Sequence, residues 1–144
     1  MKKLFLMICM AVTFSLTANA GGRPITFEQL PANAQAVITQ HFAKENILVI
    51  ILDAEFLSTD YEVKFNDGKE LKFDKKGNLK KVDCKFDPVP EALIPIEVQQ
   101  QVKTSYPAAF IKEWKLDDGQ WKAELNNGLE LIFNKRYQFI GIDD

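Results

Sequence analysis

From residue 61 the chain alternates between apolar and charged side chains. Tyr61, Val63 and Phe65 are separated by Glu62 and Lys64, and Leu71 and Phe73 alternate with Glu70 and Lys72. A period of two sends successive side chains to opposite faces of a strand. Asn66-Asp67-Gly68 lies between the two runs, and Asp-Gly supplies the positive φ angles that a tight turn demands. Residues 61–73 therefore predict an antiparallel hairpin with one apolar and one charged face. The pattern returns sixty positions later as Trp121, Ala123, Leu125, then Asn126-Asn127-Gly128, then Leu131 and Phe133. Over residues 61–83 and 121–143, seven of 23 paired positions are identical, including Gly68/Gly128, Phe73/Phe133 and Asp83/Asp143.

Before each hairpin the apolar period lengthens. Leu30-Pro31 precedes Ala34, Val37, Ile38 and Phe42, and Ile94-Pro95 precedes Val98, Val102 and Tyr106. Apolar residues three or four apart form one stripe on a helix, and a proline near its start removes no needed hydrogen bond. The first helix is expected to fade near residues 44–46 and the second to stop near Tyr106, because Pro107 cannot continue it. Further strands are expected at 47–56 and 110–116 before the hairpins, and at 79–86 and 137–142 after them. Residues 47–52 are apolar on both faces, which suggests a central strand or one packed on the other repeat.

These elements predict an α+β chain: a tandem repeat of a helix plus about four antiparallel strands, over residues 21–86 and 87–144. A sixty-residue unit of this kind has a marginal core by itself, so the two are expected to pack as one body. The helices would lie on one face of a joined or adjacent pair of sheets, leaving the other face free. Pro88 and Pro90 mark the connection between the repeats.

The first twenty residues are set apart from this pattern. Lys2 and Lys3, an apolar stretch over residues 4–17, and Ala18-Asn19-Ala20 have the form of a signal peptide and its cleavage site. Removal takes two lysines and no acid, moving the net charge of the 144-residue chain from -2 to -4. A mildly acidic chain with no basic excess argues against nucleic acid as a partner, and contact with a membrane is expected only through the signal peptide before cleavage. Cys9 leaves with that segment, so the remaining cysteine, Cys84, has no intramolecular partner and is expected to be buried and inert.

The signal peptide, the Leu30-Pro31 and Ile94-Pro95 helix starts, and the duplicated Tyr61-x-Val63-x-Phe65, Asp67-Gly68, Leu71-x-Phe73 hairpin together resemble the PepSY-like family of secreted bacterial proteins. That family has a fold similar to the β-lactamase inhibitor protein. The resemblance implies a periplasmic or secreted location and, through the peptidase propeptides that gave PepSY its name, binding or inhibition of an enzyme. It implies no catalytic motif. Tyr137 departs from the first copy, where the turn before the last strand carries Gly77.

Residue chemistry points the same way. His41 is the one histidine, on the first helix, and nothing local joins it to Cys84 as a nucleophile pair. No HExxH, paired CxxC or glycine-rich phosphate loop is present, so no catalytic residue and no metal ligand is assigned. Asp117-Asp118-Gly119 suits a turn, and Asp53 and Glu55 suit one strand face. Residues 74–78 hold the beginnings of an oxygen set for calcium, but Lys75 and Lys76 oppose it, so no cofactor is expected and calcium is kept only as an alternative. Trp114, Trp121, Tyr61 and Tyr137 suit the core. The candidate binding residues are those of the charged sheet face: Glu62, Lys64, Glu70 and Lys72, with Lys122, Glu124, Glu130 and Ile132. Ile132 stands where the first copy has Lys72, and an apolar residue there is cheap only if covered. The expected function is a non-enzymatic module that presents this face to a secreted or envelope protein. A small-ligand or calcium-responsive sensor is the alternative; the oligomeric state is left open.

Overall fold

Pro31 and Pro95 each stand directly before a helix, α1 (Ala32–His41) and α2 (Ile96–Ser105), in the computed structural model, which describes residues 22–143. The predicted signal segment, with Cys9, and Asp144 lie outside the described residues. A glutamine one turn into each helix reaches back to the preceding 3-10 turn: Gln35 Nε2 donates to the carbonyls of Glu28 and Leu30, and Gln99 Nε2 to those of Glu91 and Ile94. These bonds satisfy carbonyls that the turn leaves unpaired and fix the angle at which each helix departs. α1 stops at His41, and the expected fade over 44–46 is a separate 3-10 turn. α2 stops one residue before Tyr106, as Pro107 requires. Among the described residues no helix is long and apolar enough to cross a membrane.

The strands are β1 (Arg23–Ile25), β2 (Ile47–Ala54), β3 (Thr59–Phe65), β4 (Glu70–Asp74), β5 (Leu79–Asp83), β6 (Ile111–Asp117), β7 (Gln120–Leu125), β8 (Glu130–Phe133) and β9 (Phe139–Asp143). They form one nine-stranded sheet in chain order, every neighbour antiparallel. The joined arrangement is thus realised through β5 and β6, with Val82 opposite Trp114 and the Cys84 N–H donating to the Lys112 carbonyl at 2.9 Å. Ala34 and Ile38 of α1 and Val98 and Val102 of α2 share one core cluster with Val63, Phe65, Leu71, Phe73, Val82, Trp114, Leu131 and Phe133. The polar partners of that alternation lie on the other side of the sheet. Positions 61–74 and 121–134 carry the same succession of buried, half-buried and exposed side chains.

Several expectations are corrected. β2 is neither central nor against the other half. It lies next to the edge, covered on its outer side by β1, a three-residue strand that escaped notice because Arg23-Pro24-Ile25 is too short to show a period. β2 ends at Ala54 because the Glu55 N–H turns to the Ser58 carbonyl at 2.8 Å, so Asp53 and Glu55 do not share a strand. β5 ends at Asp83 rather than near Phe86, since Lys85 takes a left-handed φ of 58° and the chain turns. Gly77 and Tyr137 both adopt positive φ, 83° and 62°, so the substitution noted in the sequence leaves the turn's backbone unchanged in kind.

Candidate functional site

Strand register assembles the charged side of the sheet into rows that cross the strands. Glu70, Asp83, Glu113, Glu124, Glu130 and Asp143 stand opposite one another in succession from β4 to β9. Two residues along, Lys72, Lys81, Lys115 and Lys122 do the same from β4 to β7. Each row holds one sign of charge, and two residues of strand set the rows about 7 Å apart. The eight residues singled out in the sequence all fall on this side: Glu62 opposite Lys72, Lys64 opposite Glu70, Lys122 opposite Ile132, and Glu124 opposite Glu130. Ile132 is half-buried, at the end of the lysine row between Lys122 and Gly141. Sequence reading missed Lys81, Asp83, Glu113 and Lys115, which close the gap between the two hairpins. Their alternation with Val82 and Trp114 was the available signal, but it acquires meaning only once β5 and β6 pair.

Like charges directly opposite one another in a sheet are destabilising. Here the relief comes from between the rows. Lys115 Nζ lies 3.0 Å from Glu113 and 3.4 Å from Glu130, Lys122 bridges Asp117 and Glu130 at 3.1 and 3.4 Å, and Lys81 approaches Glu70 at 3.4 Å. Burial pulls the Lys115 pKa down, but Glu113 and Glu130 outweigh it and hold the ammonium above the ordinary lysine range. The most enclosed acid of the row is Asp83, only 7% exposed. Lys85 bonds it twice, the N–H at 2.9 Å and Nζ at 2.6 Å. Burial raises the Asp83 pKa, yet these two bonds more than cancel that and keep the carboxyl below its usual range.

A second feature lies where the end of α1, the β3–β4 turn and the segment after β5 converge. A cleft of about 470 Å³ is lined by His41, Glu45, Phe65, Asp67, Lys69 and Cys84, among others. Lys69 Nζ sits 3.1 Å from both Asp67 and Asp87, whose hydrogen bonds raise its pKa. His41 and Cys84 therefore do share a cleft, which their separation in sequence did not show. Cys84 is buried, and burial pushes its thiol up to about 11 despite the opposing charge of Lys69. At neutral pH it is a thiol rather than a thiolate, the wrong state for a nucleophile.

The acids of the turns serve the backbone. Asp74 Oδ1 accepts the N–H groups of Lys76 and Asn78, and its Oδ2 accepts from Asn78 Nδ2. Asn134 holds the matching turn of the other hairpin by the same two backbone bonds, from Arg136 and Gln138. A neutral amide thus does what Asp74 does. Among the described residues, no three His, Cys, Asp or Glu side chains gather as metal ligands would.

The chain matches the family described as "Putative beta-lactamase-inhibitor-like, PepSY-like" twice, over residues 17–79 and 59–141. Three crystal structures are similar to it over nearly their whole length. A periplasmic protein from Bacteroides vulgatus is 34% identical with a TM-score of 0.80, the match covering 85% of this chain and 96% of that one. A protein from Bacteroides thetaiotaomicron, described as a "putative calcium-regulated periplasmic protein", is 38% identical with a TM-score of 0.78, over 85% and 96% of the two chains. A second B. vulgatus periplasmic protein, of unknown function, is 29% identical with a TM-score of 0.75, over 83% and 95%. No curated protein matches the chain.

Proposed function

The chain belongs to the beta-lactamase-inhibitor-like, PepSY-like family and is periplasmic like the proteins it resembles, and from that premise we propose that it is a non-enzymatic module which binds or inhibits a secreted or envelope protein through its charged sheet face. Its architecture in this reading is a tandem repeat, residues 21–86 and 87–144, exported by the signal peptide at 1–20. Both helices cover one sheet face and leave the striped face open. The paired family match, the sixty-residue spacing of Tyr61↔Phe73 and Trp121↔Phe133, and the shared burial pattern support the duplication.

The observation that carries the functional reading is the row structure. A surface needing only solubility would place opposite charges across from one another and gain stability; single-sign rows forgo that gain. What they supply is a fixed field that orients an incoming partner and selects its register. The partner's matching surface presents basic groups to the acid row and acidic groups to the lysine row, and the mechanism is occlusion by a preorganised surface rather than bond-making. Capture of periplasmic proteins by the wild type and by the double variant Lys72→Glu, Glu124→Lys, which puts the wrong charge into each row, tests it. Capture should fall with the variant and with rising salt; undiminished capture by the variant would remove this face from consideration.

The cleft beside His41 and Lys69 favours a second reading, a small-ligand or calcium-responsive sensor, which the description of the B. thetaiotaomicron relative also suggests. Calcium titration followed by calorimetry tests it. Heat of binding that survives Asp74→Asn would point to the cleft, and heat that disappears would point to the turn at 74–78.

A further inference from the structure

β9 is an edge strand that no strand among the described residues pairs on its outer side, and it is the more exposed of the two edges in apolar terms. Phe139 is 40% exposed, Ile140 51% and Ile142 46%. A free edge offers a row of unpaired N–H and C=O groups, and natural sheets blunt such edges with proline, lysine, bulges or short strands. β1, at the far edge, is blunted twice: it has three residues, and Pro24 lacks an N–H. β9 has five residues and neither proline nor lysine, and the one irregularity in its pairing, at Ile140, leaves Gly141–Asp143 in regular register.

The molecule itself displays what a covered version of this strand looks like. β5 takes the same place beside β4 that β9 takes beside β8. Leu71 faces Val82 as Leu131 faces Ile142, and the register shifts by one residue at the matching point, between Lys72 and Phe73 and between Ile132 and Phe133. β5 is covered by β6, and Val82 is fully buried. Ile142 occupies Val82's place, and no strand among the described residues covers it.

We infer that β9 pairs antiparallel with β9 of a second copy of this chain, joining the two sheets edge to edge in a closed two-fold dimer. Continuity with the β5–β6 junction supplies the precedent, and the blunted β1 edge supplies the closure. Head-to-tail addition would need β1 as acceptor and would grow an open filament, whereas like-to-like pairing at β9 stops at two. Charge selects the register. With Ile142 opposite the partner's Ile142, Asp143 falls opposite the partner's Gly141, and no carboxylate meets its own copy. Ile142 then covers its equivalent, as Trp114 covers Val82. The acid rows of the two copies approach end to end without their last members in direct opposition.

Sedimentation of the full protein isolated from the periplasm, over micromolar to millimolar concentration, tests the pairing. The wild type should shift from the protomer mass to twice that mass, and Ile142→Lys should remain at the protomer mass with an unchanged near-ultraviolet dichroism spectrum. An independent readout does not depend on that variant folding. Residues directly opposite in antiparallel strands have Cα atoms about 4.5–5.5 Å apart, within disulfide reach, so Ile142→Cys should cross-link two chains on mild oxidation while Arg23→Cys at the β1 edge should not. Cys84, buried, adds no cross-link of its own. A wild type that stays at the protomer mass throughout, or equal cross-linking by the two cysteine variants, would overturn the inference.

Discussion

The hairpins at 61–74 and 121–134 bury the same positions and fill the space around them differently. In the first half Ile50 stands opposite Val63, and in the second Trp114 stands opposite Ala123. The larger residue on β6 is matched by the smaller one on β7. Trp114 then stacks on Trp121 at 4.8 Å and contacts Phe133 and Tyr137, with ring centroids 5.9 and 6.4 Å away. The first half holds Tyr61, Phe73 and Gly77 at the positions of those three rings. Its turn needs no ring because the start of α1 closes upon it: a Cβ on Gly77 would lie 2.8 Å from Pro31 Cβ and 3.0 Å from the Ala34 nitrogen. One backbone plan is completed by a helix in one half and by aromatic rings in the other. Volume per row and backbone conformation are what the plan constrains, more than residue identity.

The largest expected effect tests that exchange of volume. Trp114→Ala should cost about 3–5 kcal/mol in a denaturant melt, since it empties the centre of the ring cluster. Ala123→Val, which imports the first half's residue alone, should cost about 1–3 kcal/mol by overpacking against Trp114. Trp114→Ile combined with Ala123→Val recreates the Ile50–Val63 pair and should be less destabilising than the sum of its parts, a coupling of about 0.5–3 kcal/mol between residues in contact. Strict additivity would show that the two rows are not solving one packing problem.

Next in size is the turn that α1 covers. Gly77→Ala forces a side chain into a φ of 83° and against Pro31, and both the left-handed backbone and the contact disfavour it. The backbone part alone is worth about 1–3 kcal/mol. The matching change in the other half, Tyr137→Gly, relieves a left-handed tyrosine but gives up its contacts with Trp114 and Trp121, so the two parts oppose and its net effect should be the smaller. Chemical denaturation of both variants decides it. A Gly77→Ala protein as stable as the wild type would mean that α1 readily moves off the turn.

The same contrast explains what the sequence disclosed. Both hairpins were legible because alternation and Asn-Asp-Gly or Asn-Asn-Gly act within a few residues, and both helices because Pro31, Pro95 and Pro107 mark their limits. β1 was not, because three residues with a proline carry no period. The place of β2 was misjudged for the same reason: its second apolar face looked like evidence for a central position when β1 was simply unread. Alternation alone puts the eight candidate residues on one side of the strands, where the register pairs them. Their organisation into rows was hidden, since it depends on β5 meeting β6 across a 27-residue interval that contains α2. The cleft was hidden too, because His41 and Cys84 come to line one cleft only through the fold.

The smallest effect separates the two turns that follow β4 and β8. Asp74 and Asn134 hold equivalent backbones by equivalent bonds, so Asp74→Asn should change stability at neutral pH by no more than about 0.5 kcal/mol. Asn78 has only to turn its amide, presenting oxygen where it now presents nitrogen, as Gln138 does to Asn134. The acid limb is different. Burial raises the Asp74 pKa, but the N–H groups of Asn78 and Lys76 and the Asn78 amide outweigh it and leave the carboxyl below its usual range. A depressed folded-state pKa contributes stability above the ordinary aspartate value, near pH 4, and loses it as pH falls through the lower folded value. Melting temperatures measured from pH 7 down to pH 2 should therefore show the wild type losing ground to Asp74→Asn only at the acid end. Parallel curves would mean that the charge of Asp74 contributes nothing to the turn. A gain in wild-type melting temperature with added calcium, absent from Asp74→Asn, would show that the first turn has a task its neutral counterpart lacks.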